Sequence, residues 1–214
     1  MTLDGSYDLN RETYNGELTL SRFPLDRFLT VDSLGSASAN FRLEGRYFSW
    51  PQAKTSVNAG IRQLFYKEHE YKDITLQATL DKTHLRGTMV SKDPDAPLDL
   101  VFRGDSLQQQ YQVGLGGYIG KVDLQALHLM QESLTMGLKV DLQGFIGEHS
   151  AYALKARFDS LSMADSRKTY TLGSLDIDMA SDLKKTTLDV KTGDLQLTFR
   201  EVGGQAVLGR QNIL

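Results

Sequence analysis

Residues able to do chemistry are sparse in this chain, and their spacing is poor for it. Four histidines, His69, His84, His128 and His149, are far apart. None forms the His-x-His or His-Glu-x-x-His pair that would aim two ring nitrogens at one ion. His128 reads as a partly buried, hydrogen-bonded ring rather than a ligand. With Cys 0, disulfides, thiolate zinc sites and cysteine nucleophiles are excluded. No Gly-x-Ser-x-Gly turn is present to expose a serine nucleophile. The cluster Gly114-Leu-Gly-Gly-Tyr-Ile-Gly120 is one residue off a dinucleotide fingerprint. It lacks the buried strand before it and the long helix after it whose N-terminus would hold a pyrophosphate. Glycines in such a stretch read as a strand bend or a close backbone approach. Asp176 and Asp178 share one strand face without a ligand loop, so they read as solvated rather than calcium-binding. Asp93-Pro-Asp-Ala-Pro97 reads as a rigid turn, its prolines barred from ladder hydrogen bonds. The expectation is a non-enzyme with no catalytic set, no metal and no cofactor.

The elements that could position anything are strands. Leu76, Ala78 and Leu80 alternate with polar residues, as do Met136, Leu138, Val140 and Leu142. The same period of two joins Leu175, Ile177 and Met179, and then Leu195, Leu197 and Phe199. Weaker alternation covers 2–9, 14–20, 37–47, 55–64, 85–90, 98–102, 110–118, 151–158 (with Leu154, Ala156 and Phe158), 169–172 and 186–190. A pleated strand sends successive side chains to opposite faces, so about fourteen strands with one apolar and one wet face are predicted. Parallel strands buried on both faces would be continuously apolar, so the sheet is expected to be antiparallel. Two short helices are predicted, at 24–30, opened by Pro24 with Leu25, Phe28 and Leu29 on one side, and at 122–129 around Leu124 and Leu127.

A gapless shift of 99 residues lays Leu25 on Leu124, Phe41 on Val140, Leu43 on Leu142, Gly45 on Gly144 and Leu76 on Leu175. Strand phase and helix position agree across about eighty residues, which predicts a repeat architecture. Residues 1–99 form its first copy, 100–200 its second, and 201–214 an incomplete segment.

Composition narrows the function. Lys+Arg 24 against Asp+Glu 27 leaves a net charge of −3, giving no electrostatic case for nucleic acid or an anionic membrane. The longest apolar run is Ala151 to Leu154, far short of the roughly 20 residues of a membrane-spanning helix. Met1-Thr-Leu-Asp opens directly into polar alternation, without a secretory signal. Gly 19 beside Pro 4 suits a sheet rich in turns and bends. Scattered aromatics argue against an outer-membrane barrel, which carries aromatic girdles. The alternatives left open are a β-sandwich and a curved sheet with an apolar concavity.

Tyr118-Ile-Gly-Lys-Val-Asp-Leu-Gln-Ala-Leu-His-Leu129, with the following strand ending Leu-Gln-Gly144, resembles the periplasmic repeats of TamB-type translocation and assembly module subunits, relatives of the AsmA-like family. Arg22-Phe-Pro-Leu-Asp-Arg-Phe-Leu29 with Leu43-Glu-Gly45, Tyr71 to Leu80, and Gly193 to Phe199 fit the same pattern. The resemblance implies a long sheet rolled into an open, taco-like groove that moves phospholipid between inner and outer membranes. It also implies an Omp85-type outer-membrane barrel as a partner. Family members carry a membrane helix and a C-terminal domain that are not visible here, so the chain is expected to be a periplasmic fragment, touching membrane only through segments it lacks. The groove lining would be Leu76, Ala78, Leu80, Met136, Leu138, Val140, Leu142, Leu154, Ala156, Phe158, Leu175, Ile177, Met179, Leu195, Leu197 and Phe199, solvating acyl chains. The competing expectation is an interaction module that pairs with a barrel through exposed strand edges.

Overall fold

The computed structural model describes residues 1–212 except 31, 50, 51, 108, 109, 148–150, 166, 172, 183, 184, 194, 203 and 204, with backbone only at 107, 202 and 205–212. His149 and Leu172 therefore lie outside the described residues. The chain runs β1 (Thr2–Asp8), β2 (Thr13–Pro24), β3 (Leu34–Arg46), β4 (Lys54–Tyr66), β5 (His69–Asp81), β6 (His84–Ser91), β7 (Leu98–Leu107) and β8 (Gln110–Asp123). It continues β9 (Leu134–Ile146), β10 (Tyr152–Asp165), β11 (Thr169–Thr171), β12 (Ser174–Ser181), β13 (Lys185–Thr192), β14 (Leu195–Val202) and β15 (Gln205–Asn212). Each strand pairs with its sequence neighbours, so the order is a simple meander from β1 to β15, with β11 beside β10 only. All pairings are antiparallel. The result is one open sheet with β1 and β15 at its edges, rather than two separate sheets.

The longest strands have 13 or 14 residues, about 43–48 Å at roughly 3.4 Å per residue. Thirteen inter-strand steps of about 4.8 Å give a contour of roughly 60 Å across the sheet.

The predicted repeat has a counterpart in hydrogen-bond register. Leu20 pairs with Ala39 and Phe23 with Ala37, across a bulge in β2. Shifted by 99 residues, Ile119 pairs with Leu138 and Val122 with Met136, across the same bulge in β8. Val57↔Leu43 becomes Ala156↔Leu142, and Val57↔Ala78 becomes Ala156↔Ile177. Leu64↔Tyr71 becomes Met163↔Tyr170, which identifies β11 and β12 as one interrupted counterpart of β5. The interruption falls where Asp73 takes φ 50 in β5. The match ends at the next hairpin: Asp81 pairs with His84, whereas Ser181 pairs with Thr186 across a longer connection.

The two short helices do not form. Among the described residues there is a single 3₁₀ turn, Leu25–Arg27, held by Phe28 and Leu29 N–H groups on the Leu25 carbonyl. At 122–129, β8 runs on to Asp123, and Leu127 N–H then bonds the Asp123 carbonyl in one helical turn. His128 takes φ 54, which halts propagation. A single turn gains too few hydrogen bonds to offset its nucleation. Here the backbone and the His128 ring are instead tied to distant segments, described below.

Candidate functional site

Directly opposite residues of an antiparallel ladder project to the same side, so cross-strand pairing traces continuous rows. One row runs Leu3, Leu18, Phe41, Ala59, Leu76, Met89, Leu100, Gly117, Val140, Phe158, Leu175, Thr192, Leu195. The adjacent row on that face carries Leu43, Val57, Ala78, Phe102, Leu115, Leu142, Ala156, Ile177, Val190 and Leu197. A third holds Leu80, Leu85, Val113, Leu154, Met179, Leu188 and Phe199. On the other flank, Leu138 pairs with Ile119, and Met136 with Val122 and Met163. All sixteen predicted lining residues therefore share one face.

Their burial is uneven. Leu138, Val140 and Ala156 are buried; the other thirteen are half-buried. Leu100, Leu138 and Val140 form a buried core cluster, packed against Met89, Leu98, Leu115, Ile119, Met136, Leu142, Phe158 and Leu161. Toward β1 the face opens, with Leu3 74% exposed.

The opposite face is polar and laced by ion pairs. Lys155 Nζ lies 3.5 Å from Asp178, and Arg157 Nη1 3.4 Å from Asp176. The acidic pair lies on this wet face, as predicted, and there also meets cross-strand cations. On the same sheet, Asp105 accepts from Arg86 at 2.8 Å and His84 at 2.6 Å. The Arg86 hydrogen bond, then that of His84, lowers the Asp105 pKa below its ordinary value.

The glycine cluster continues strand β8, as expected for a bend or close approach. Gly117 has φ 144, and any Cβ there would collide with the Asp99 carbonyl. Gly120 abuts the Pro97 ring and donates its N–H to the Pro97 carbonyl at 2.8 Å.

A second constellation was not legible as a unit in the sequence. β6 begins pairing with β5 only at Ile74, and β7 with β8 only up to Ile119. This leaves a notch between the overhangs of β5 and β8, filled by loop 92–97. Lys92 N–H bonds the Asp73 carbonyl, and Asp123 N–H bonds the Asp95 carbonyl. Asp93, 1% exposed, accepts from the backbone N–H groups of Lys72 (2.8 Å), Asp95 (2.9 Å) and Ala96 (3.2 Å). Its carboxylate does for the β5 overhang what a neighbouring strand's carbonyl would do. The predicted rigid turn is thus also a strand-edge cap.

The segment after β8 closes the same notch. His69 Nδ1 donates to the Ala126 carbonyl at 3.1 Å, and His128 Nδ1 to the Lys67 carbonyl at 2.7 Å. His128 is hydrogen-bonded as expected, but exposed rather than partly buried. Because carbonyls only accept, both rings carry a proton on Nδ1. His69 Nε2 is buried without a hydrogen-bond partner and lies 3.6 Å from Asp93 Oδ1. His69, Asp93 and Asp95 offer ligand atoms within 4.8 Å of one another. Histidine spacing alone could not reveal this, since the two aspartates arrive from a different loop.

No helix among the described residues is long and apolar enough to cross a membrane. Compared with known proteins, the chain matches no family, no curated protein and no solved structure.

Proposed function

We propose that this chain is a non-enzymatic, periplasmic segment of a TamB-type bridge, whose open sheet curls into a groove that shelters phospholipid acyl chains between inner and outer membranes. The observation that carries this reading is the set of predominantly apolar rows across an open sheet, most of whose large side chains stay half-buried. A sheet that buried this face against a second layer would leave little of it accessible. Each methylene taken from water onto such a surface gains about 0.8 kcal/mol, without needing a polar recognition group. The resemblance to TamB-type repeats and the 99-residue register match support an elongated conduit rather than a one-site binder.

Photo-crosslinking in cells tests the orientation. A photoreactive residue at Leu154 or Ile177 is expected to capture phospholipid, whereas one at Lys155 or Asp178 is not. Capture from the polar positions alone would reject the groove.

A second reading, a module that pairs with an Omp85-type barrel, is favoured by β1. All seven of its residues are exposed and only one of its edges is paired. Unpaired strand edges are templates for an added strand. Stoichiometric capture of a barrel by lipid-free chain, abolished by proline at Gly5 or Ser6, is the outcome that would favour it.

A further inference from the structure

We propose that His69, Asp93 and Asp95 form a binding site for a divalent transition metal of the zinc class, closing the notch between β5 and β8.

The argument starts from the tautomer. His69 donates its Nδ1–H to the Ala126 carbonyl, so whenever the ring is neutral, the form a metal binds, its lone pair is at Nε2. That atom is buried, has no hydrogen-bond partner, and faces a carboxylate oxygen 3.6 Å away. A lone pair against an anion repels, and a buried acceptor left unpaired is unfavourable. A cation between the two atoms turns both terms favourable.

The His69–Asp93 spacing suits zinc. Ligand bonds of about 2.0–2.1 Å in a tetrahedron separate the ligand atoms by roughly 3.3–3.4 Å, close to the His69–Asp93 distance. Asp95 supplies a third ligand atom, and its half-exposed side chain leaves a fourth position for water. A Nδ1–H held by a backbone carbonyl is the usual outer support of a metal-bound imidazole. Asp93 is oriented in the same way. Its three backbone N–H bonds, two on Oδ1 and one on Oδ2, fix the carboxylate in place, and the acceptor position still open is on Oδ2. The imidazole selects zinc and its neighbours over calcium and magnesium, which take oxygen ligands.

An ion there would staple three segments together: the start of β5, loop 92–97, and, through the Ala126 carbonyl, the turn after β8. These belong to both sides of the 99-residue repeat, so the ion would lock the junction between the two copies.

The test is a titration of chelator-stripped chain with Zn²⁺, followed by calorimetry and thermal unfolding, with Co²⁺ as a visible-absorption probe. One ion per chain is expected, with a rise in Tm and a Co²⁺ ligand-field band. D95N should weaken affinity at least tenfold while leaving the metal-free Tm unchanged; H69Q should abolish the band. H84A, which removes the other histidine beside an aspartate, should leave binding intact. No stoichiometric binding, unchanged binding in D95N, or equal binding of Ca²⁺ would each overturn the proposal. Should H69Q fail to fold, D95N alone decides it.

Discussion

Leu127 and Phe28 occupy the same place in the 99-residue repeat, yet Leu127 is 4% exposed and Phe28 is 69% exposed. The difference follows from what precedes each turn. The segment around Leu127 is tied to the β4–β5 hairpin through His69–Ala126 and His128–Lys67 hydrogen bonds. The turn bearing Phe28 lies beside the edge hairpin β1–β2, and Phe28 stacks on Phe23 at 4.9 Å. Leu127→Ala is therefore expected to cost about 2–5 kcal/mol. Phe28→Ala should cost less than about 1 kcal/mol. Urea unfolding of the two variants measures the contrast, and equal losses would contradict it.

The glycines of the mid-sheet cluster separate by backbone geometry. Gly117→Ala must adopt φ 144 with its Cβ against the Asp99 carbonyl, a loss on the order of 1–3 kcal/mol from backbone strain alone. Gly60→Ala, in β4, meets nothing within 4 Å. Trimming the freedom of the unfolded chain should leave it neutral or more stable by about 0.4–1 kcal/mol. In paired chemical denaturation, the Gly117→Ala curve should move to lower denaturant and the Gly60→Ala curve should not.

Acid sensitivity has a local source at Asp105. Its folded pKa is lowered, chiefly by Arg86 and then by His84. Below its ordinary range the unfolded state therefore binds the proton more readily. The resulting stabilisation is present above the unfolded pKa and is lost as pH falls through the folded one. In Arg86→Ala the Asp105 carboxyl should titrate at higher pH by NMR, and the variant should lose less stability across the acid range.

The two faces of the sheet should respond very differently to charge. Val140 is 7% exposed within the central cluster, so Val140→Asp buries an unpaired carboxylate. A loss above about 3 kcal/mol is expected. Asp178 pairs with a largely exposed Lys155, and Asp178→Asn should change stability by less than about 1 kcal/mol. Thermal melts of both variants test which face holds the core.

Much of the fold was legible because alternation is a local property. Leu138, Val140 and Leu142 share a face as soon as the backbone is extended, whatever pairs with it. The stretch 122–129 fails to become a helix for the complementary reason. Leu25, Phe28, Leu124 and Leu127 have helical spacing, but 124–130 is held by contacts to residues far away in the chain. Such tertiary bonds outweigh one marginal turn.

By itself the sequence determined that the protein is all-β, antiparallel and split into an apolar and a polar face. It also determined that two stretches are in phase at a 99-residue offset. Only the tertiary structure decided that the sheet stays open, and that the offset preserves register through β2–β5 and then fails at the next hairpin. It alone brought His69 to Asp93 and Asp95. Side-chain direction follows from neighbouring residues along one strand. Register breaks, notches and polar clusters depend on the lengths of different strands and on loops that meet only after pairing.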